Sequence, residues 1–176
     1  RLLAAADRVI VTSPPYLKTS IPLQRVINKV QCAPLAIDLA RIPEKFRQKP
    51  QQKRLPGEGL RLLCVGRLTY YKDFATAIRA IALVPTASLQ IVGDGELRGQ
   101  LQTIIENYGV ADRVTLLGRV DDETLWRCFH GCDLLCLPSI ERTEAFGLVI
   151  LEAASFGKPS IVSDVEGSGM SWAIQQ

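Results

Sequence analysis

An α/β fold of the Rossmann-like, doubly wound type, with a parallel sheet covered by helices on both faces, is what this 176-residue sequence predicts. Three observations predict it. From residue 60 onward, short apolar runs alternate with segments of helical periodicity. The runs are continuously apolar rather than alternating, as in parallel strands buried on both sides. Gly66, Gly93 and Gly118 each follow such a run directly, where a chain leaving a strand must turn closely.

Residues 8–12 read as a short strand after an alanine-rich helix end, and Ser13-Pro14-Pro15 stops it. Helical character follows to about residue 27, and residues 29–37 are extended. The stretch 41–59 is rich in Pro, Gln, Lys and Arg without apolar periodicity, which predicts a linker or loop. Then come strand 60–65, helix 72–83, strand 88–92, helix 96–108, strand 113–117, helix 122–129, strand 133–137, helix 144–156 and strand 159–163. After Asp164 the alternation stops: Gly167, Gly169 and Trp172 follow, with no further helix expected.

Composition narrows the function. A net charge of +3, with Lys and Arg scattered outside residues 41–54, argues against nucleic acid as partner. No apolar run approaches the roughly 18 residues of a membrane span, and no signal-peptide pattern opens the sequence. The expectation is a soluble, cytoplasmic protein. Because Arg1 comes first and the only methionine is Met170, the chain is expected to be a fragment. Of five cysteines, Cys128, Cys132 and Cys136 recur every fourth residue around His130. Cys128 on a helix and Cys136 on the next strand do not make the facing pairs of a zinc site, so reduced, buried cysteines are expected.

In open α/β sheets ligands bind beyond the carboxyl ends of the strands. The first strand-end loop runs from Gly66 through Arg67 to Lys72 and Asp73. Two cations above a strand end suit a diphosphate, although solvated surface charges would look the same. The second loop, Gly93-Asp94-Gly95-Glu96, superficially resembles a dinucleotide fingerprint, but the next strand ends in Leu117-Gly118-Arg119 without the ribose-binding acid. A tight turn opening a helix fits it as well. The third loop runs from Pro138 and Ser139 through Glu144-Ala145-Phe146-Gly147-Leu148 to Glu152. A helix starting near Phe146 would aim free amides and its positive dipole end into the crevice. Glu144 would stand at its mouth and Glu152 roughly 12 Å further along the axis. Glu152 is unusual among Leu148, Ile150, Leu151 and Ala153, because a buried charge needs a partner.

Together, Gly66-Arg67 with Lys72, Gly93-Asp94-Gly95, Leu117-Gly118-Arg119-Val120, Pro138-Ser139, and Glu144-Ala145-Phe146-Gly147 followed by Glu152-Ala153 resemble, in order and spacing, the C-terminal domain of retaining GT-B glycosyltransferases of the glycogen-synthase-like group, the glycosyl transferases group 1 family. The acidic pair separated by seven residues is that group's hallmark. The resemblance implies one half of a GT-B two-domain fold. Residues 1–40 would end an N-terminal, acceptor-side domain and form the interdomain crossing, 41–59 a linker, and 60–176 the nucleotide-sugar-binding domain. Leu35 and Ala36 stand where the family often carries Asn and Gly.

The resemblance also implies roles. Arg67 and Lys72 would neutralise the donor diphosphate as charge builds on it. Gly66 would lie beside it, Gly118, Arg119 and Val120 would meet the base, and Glu152 the ribose. Glu144 and the amides of Phe146, Gly147 and Leu148 would hold sugar and phosphate. The expected reaction is retaining transfer of a hexose from a UDP- or GDP-sugar to a saccharide or lipid-linked acceptor, in polysaccharide or lipopolysaccharide assembly. No cofactor and no metal would be needed, the acceptor would be held by the N-terminal domain, and the full-length protein could sit peripherally on the inner face of a membrane. A GT-B epimerase or phosphorylase, a nicotinamide oxidoreductase and a non-catalytic nucleotide-sugar-binding module are the competing expectations.

Overall fold

The computed structural model describes residues 2–47 and 59–175. Among these residues seven strands form two sheets. Strands β1 (Val9–Val11) and β2 (Val30–Cys32) make a two-stranded parallel sheet, while β3 (Arg61–Val65), β4 (Ser88–Val92), β5 (Val114–Gly118), β6 (Leu134–Leu137) and β7 (Ser160–Val162) form a five-stranded parallel sheet in the order β5-β4-β3-β6-β7. The crossovers carry helices α1 (Phe74–Leu83), α2 (Arg98–Asn107), α3 (Asp122–Gly131) and α4 (Leu148–Ser155).

Strand periodicity explains why helices are needed on both sides. In β3, Leu63 and Cys64 point to opposite faces and both are fully buried. Cys64, Leu89 and Ile91 pack under Phe74, Ile78 and Ile81 of α1 and Leu101 and Ile105 of α2. Leu63, Leu135 and Leu137 pack under Phe129 of α3 and Val149, Ile150 and Ala153 of α4, with the Phe129 and Phe156 rings stacked at 5.3 Å. Helices α1 and α2 therefore cover one face and α3 and α4 the other, which is the doubly wound arrangement. The chain reverses direction across the sheet between β3 and β6, where a crevice opens at the strand ends.

Several element boundaries differ from expectation. The helix expected up to residue 27 is broken into Pro14–Thr19, Ile21–Gln24 and a 3-10 turn at Ile27–Lys29, because Pro22 starts a new helical segment. The linker expected from residue 41 begins with structure: a 3-10 turn at Leu39–Arg41 and a helical turn at Glu44–Arg47. Buried Ile42 and the Phe46 ring, 6.0 Å from Trp126, anchor these turns on α3. The rest of that linker, residues 48–58, lies outside the described residues. A helical turn also follows Asp164, at Met170–Ala173, and buries Met170 completely in the α3–α4 face. Among the described residues no helix is long and apolar enough to cross a membrane.

Candidate functional site

The crevice at the reversal point is built from the loops after β3 and β6. Their backbones are joined directly, the Ile140 amide donating to the Tyr71 carbonyl at 2.8 Å. After Gly66 the chain makes a 3-10 turn, Tyr70–Lys72, and Asp73 adopts a left-handed conformation (φ 45°, ψ 42°) before α1 begins. The predicted helix start at Lys72 is thus corrected by two residues, to Phe74. The left-handed residue turns the Lys72 side chain back under Gly66, and the Lys72 Cε and Nζ occupy the space beside the Gly66 α-carbon.

There Lys72, 8% exposed, donates to Oε2 of Glu144. Ser139, fully buried, donates its hydroxyl to the same oxygen at 3.3 Å. The Lys72 ammonium also lies 5.7 Å from the Tyr71 ring centroid. Lys72 and Glu144 are therefore brought together as an ion pair, where the sequence suggested separate contacts to diphosphate and sugar. Both bonds fall on Oε2, and among the described residues Oε1 of Glu144 takes none.

The helix expected from residue 144 begins instead at Leu148, so Glu144 belongs to the loop and not to the first turn. Gly147 sets this start: its φ of 77° is left-handed, and a side chain there would press on Ile150 and Leu137. Phe146 is buried and wedges the loop against the core, edge-on to Trp172 at 6.1 Å. Among the described residues the amides of Phe146, Gly147 and Leu148 donate to no backbone acceptor outside the helix, as at a helix start whose first amides are free.

Arg67 takes a different place. It is exposed, 3.8 Å from Glu96, and lines an open cleft of about 750 Å³ with Gly66, Gly93, Asp94, Gly95 and Arg119. The Thr69 hydroxyl and, to a lesser degree, Arg67 hold the Glu96 carboxyl below its ordinary range. A Cβ on Gly93 would collide with the Gly66 carbonyl, and the Leu68 amide donates to the Asp94 carbonyl at 3.0 Å, so the first two strand-end loops are sewn together. Gly118 ends β5 with φ 74°, its carbonyl accepting the Gly93 amide at 2.8 Å, and Val120 packs into the α3–α4 face.

Glu152 is brought to neither cation. It lines a cavity of about 270 Å³ with Arg41, Ile42, Trp126, Leu148 and Phe156. Ile150 and Ala153 point instead into the core, on the other side of α4. Burial pushes the Glu152 carboxyl up, opposed next by the Arg41 charge and helped least by that of Asp122. Among the described residues it takes no hydrogen bond or ion pair. Cys64, Cys128 and Cys132 are buried, Cys136 is half-buried and Cys32 exposed; burial pushes the Cys132 thiol up to about 11. His130 stands at the end of α3, its carbonyl accepting from Lys158 at 2.9 Å.

Ser139, named with Pro138 in the third-loop motif, gains a specific role as a donor to Glu144. Arg142 and Ser168 are the site's unanticipated members, and both act through the backbone of residues distant in sequence.

The profile of the family described as "Glycosyl transferases group 1" matches residues 45–170. The chain is 32% identical over 172 residues to a D-rhamnosyltransferase of Pseudomonas aeruginosa, covering 98% of this chain and 44% of that protein. It is 28% identical to the O-antigen chain mannosyltransferase C of Escherichia coli, covering 99% and 46%. The solved sucrose-phosphate synthase of Thermosynechococcus elongatus superposes with a TM-score of 0.75 at 30% identity, covering 94% of this chain and 43% of that one. The chain thus spans less than half the length of these relatives. With a doubly wound sheet, an ion-paired crevice at its reversal point and this match over most of its length, the chain belongs to the glycosyl transferases group 1 family.

Proposed function

We propose that this chain is the donor-binding portion of a retaining hexosyltransferase, acting from a UDP- or GDP-sugar on a saccharide or lipid-linked acceptor in surface polysaccharide or lipopolysaccharide assembly. The observation that carries the reading is the buried Lys72–Glu144 pair at the reversal point of the sheet, next to the open amides of α4. In this reading Oε1 of Glu144 accepts a sugar hydroxyl while Lys72 stays in place beside the diphosphate. The α4 amides take the sugar-side phosphate, and Arg67 swings in from the open cleft to meet the other. Glu152 accepts the ribose hydroxyls, which would supply hydrogen bonds that its carboxyl does not take among the described residues. Gly118, Arg119 and Val120 border the base.

As the glycosidic bond breaks, negative charge grows on the leaving diphosphate. In this reading Lys72 and the helix amides stand where it grows and Arg67 joins them on binding, and such oriented charge would stabilise the transition state without a bound metal. The leaving phosphate would take the acceptor's proton on the same face of the sugar, preserving the anomeric configuration. The acceptor would be engaged by the N-terminal domain, with the whole protein cytoplasmic and peripheral at the membrane. Similarity to proteins named for rhamnosyl and mannosyl transfer favours a six-carbon sugar.

The test is calorimetric titration of the chain with UDP, GDP, a UDP-hexose and a GDP-hexose. Arg67→Ala is expected to weaken the preferred nucleotide ~10-fold or more, the range of a lost charge-assisted hydrogen bond. Undiminished affinity in both Arg67→Ala and Lys72→Ala would remove the diphosphate assignment.

A further inference from the structure

Glu144 stands on a loop with little regular structure, and what holds that loop comes from outside the five-stranded sheet. Two residues earlier, the Arg142 guanidinium lies 4.7 Å from the Tyr16 ring centroid. It donates to the Thr19 carbonyl at 3.3 Å and the Tyr16 carbonyl at 3.4 Å. These carbonyls close the helical segment Pro14–Thr19, an end that favours a cation.

On the other side, Ser168, 2% exposed, donates its hydroxyl to the Glu144 carbonyl at 2.6 Å and accepts the Met170 amide at 3.2 Å. The Gly169 amide donates to the neighbouring Ala145 carbonyl at 3.0 Å. Between them Gly167 has φ 77°, and Thr19 Oγ1 and the Arg142 guanidinium fill the space its Cβ would need. Segment 14–19, Arg142 and the turn at 165–169 therefore interlock around the backbone that carries Glu144.

We infer that Arg142 is a positioning residue, which transmits the placement of segment 14–19 to the Glu144 carboxylate and through it to Lys72. Segment 14–19 leads directly out of β1, whereas Glu144 and Lys72 follow strands of the larger sheet. Arg142 is thus a physical link between the part of the chain that carries the two-stranded sheet and the crevice of the five-stranded one. A planar fork is suited to this, because it reaches two carbonyls with its edge while its face stacks on a ring.

The inference is tested first without any ligand. In the wild-type chain, NMR locates the side-chain carboxyl ¹³C signal of Glu144 and the ammonium ¹⁵N signal of Lys72. Arg142→Ala is expected to shift both signals, Ser168→Ala to shift the Glu144 signal, and Arg142→Lys to restore the wild-type positions in part. Both signals at their wild-type positions in Arg142→Ala overturn the inference. Should that variant not fold, the milder Arg142→Gln decides by the same signals.

A second measurement rests on the donor reading proposed above. It compares affinities: Arg142→Ala weakens binding of the nucleotide hexose ~10-fold more than binding of the corresponding UDP or GDP, since the contact Glu144 makes with sugar is lost in addition to any change at Lys72. An undiminished sugar increment overturns the link from Arg142 to the donor. A wild-type chain that binds none of these nucleotides overturns the donor reading, and the positioning of Glu144 is then decided by the NMR signals alone.

Discussion

The cleft around Glu144 and the cavity around Glu152 share the unit formed by the third loop and α4, yet they treat a carboxylate in opposite ways. Glu144, with its side chain 13% exposed, has a lysine and a buried serine on one oxygen and a second serine on its backbone. Glu152 faces aromatic and aliphatic walls, with Arg41 and Asp122 at the rim of its cavity as opposing charges. The first carboxylate is organised by the fold itself. Among the described residues the second takes no hydrogen bond. The difference separates a carboxylate whose partners folding supplies from one that folding buries without a hydrogen-bond donor of its own.

The largest effect expected from that difference is on stability. Replacing Lys72 by Met leaves Glu144 in a mostly buried site without its cation, a class of change that costs about 3–5 kcal/mol. Glu144→Gln alone should cost less, since the amide still accepts from Lys72 and Ser139. The double variant Lys72→Met/Glu144→Gln should recover most of the loss, because no unpaired charge remains. Urea unfolding of the four proteins checks this, and simple additivity of the two single changes would show that the pair is not coupled.

The contrast between the two carboxylates was only partly legible in the sequence. The five strands were, because runs such as Leu134–Leu137 are apolar at every position and only a strand buried on both faces asks for that. The glycines at the strand ends marked where the loops leave the sheet. Helix starts were not legible. A left-handed Asp73 and a left-handed Gly147 decide where α1 and α4 begin, and these are backbone conformations that apolar periodicity does not record. Lys72 and Glu144 could be named but not paired, being 72 residues apart. Arg142 was invisible as a site residue, since its partners at Tyr16 and Thr19 are more than 120 residues away and are backbone carbonyls that no side-chain pattern records.

Glu152 should give a smaller effect of opposite sign. Its carboxyl is pushed above the ordinary 4.5 in the folded chain. The folded state then holds the proton more tightly than the unfolded one, so its contribution to stability is complete below the ordinary value and is lost as pH rises through the folded one. Glu152→Gln is accordingly expected to be neutral or stabilising at pH 7, by less than about 1 kcal/mol after solvent screening. It should also flatten the loss of stability on raising the pH from 4 to 7. Nucleotide affinity should fall in the same variant, ~10-fold for a lost charged acceptor. Thermal melts against pH, set beside titrations with the nucleotide, separate the two effects. A variant that loses stability at neutral pH would mean that Glu152 is satisfied in the folded chain after all.

Asp73 offers the finest adjustment, because it sets how Lys72 enters the cleft. Among the described non-glycine residues it alone has positive φ, and glycine would occupy that conformation without the cost, about 1 kcal/mol, that a side chain incurs. Against that gain stands the bond from the Thr76 hydroxyl to Oδ2 of Asp73 at 2.6 Å, and the favourable placement of a carboxylate at the start of α1. Each is worth a few tenths to about 1 kcal/mol, so Asp73→Gly should change stability by no more than about 0.5 kcal/mol in either direction. Asp73→Val is the informative partner: a β-branched residue resists the left-handed region, and relieving the strain means moving the adjacent Lys72. It should cost about 1–2 kcal/mol and weaken the Lys72–Glu144 coupling measured by the double-variant cycle. Coupling of wild-type strength in Asp73→Val would show that the pair is held by Ser139 and the Glu144 loop alone, independently of the turn that delivers Lys72.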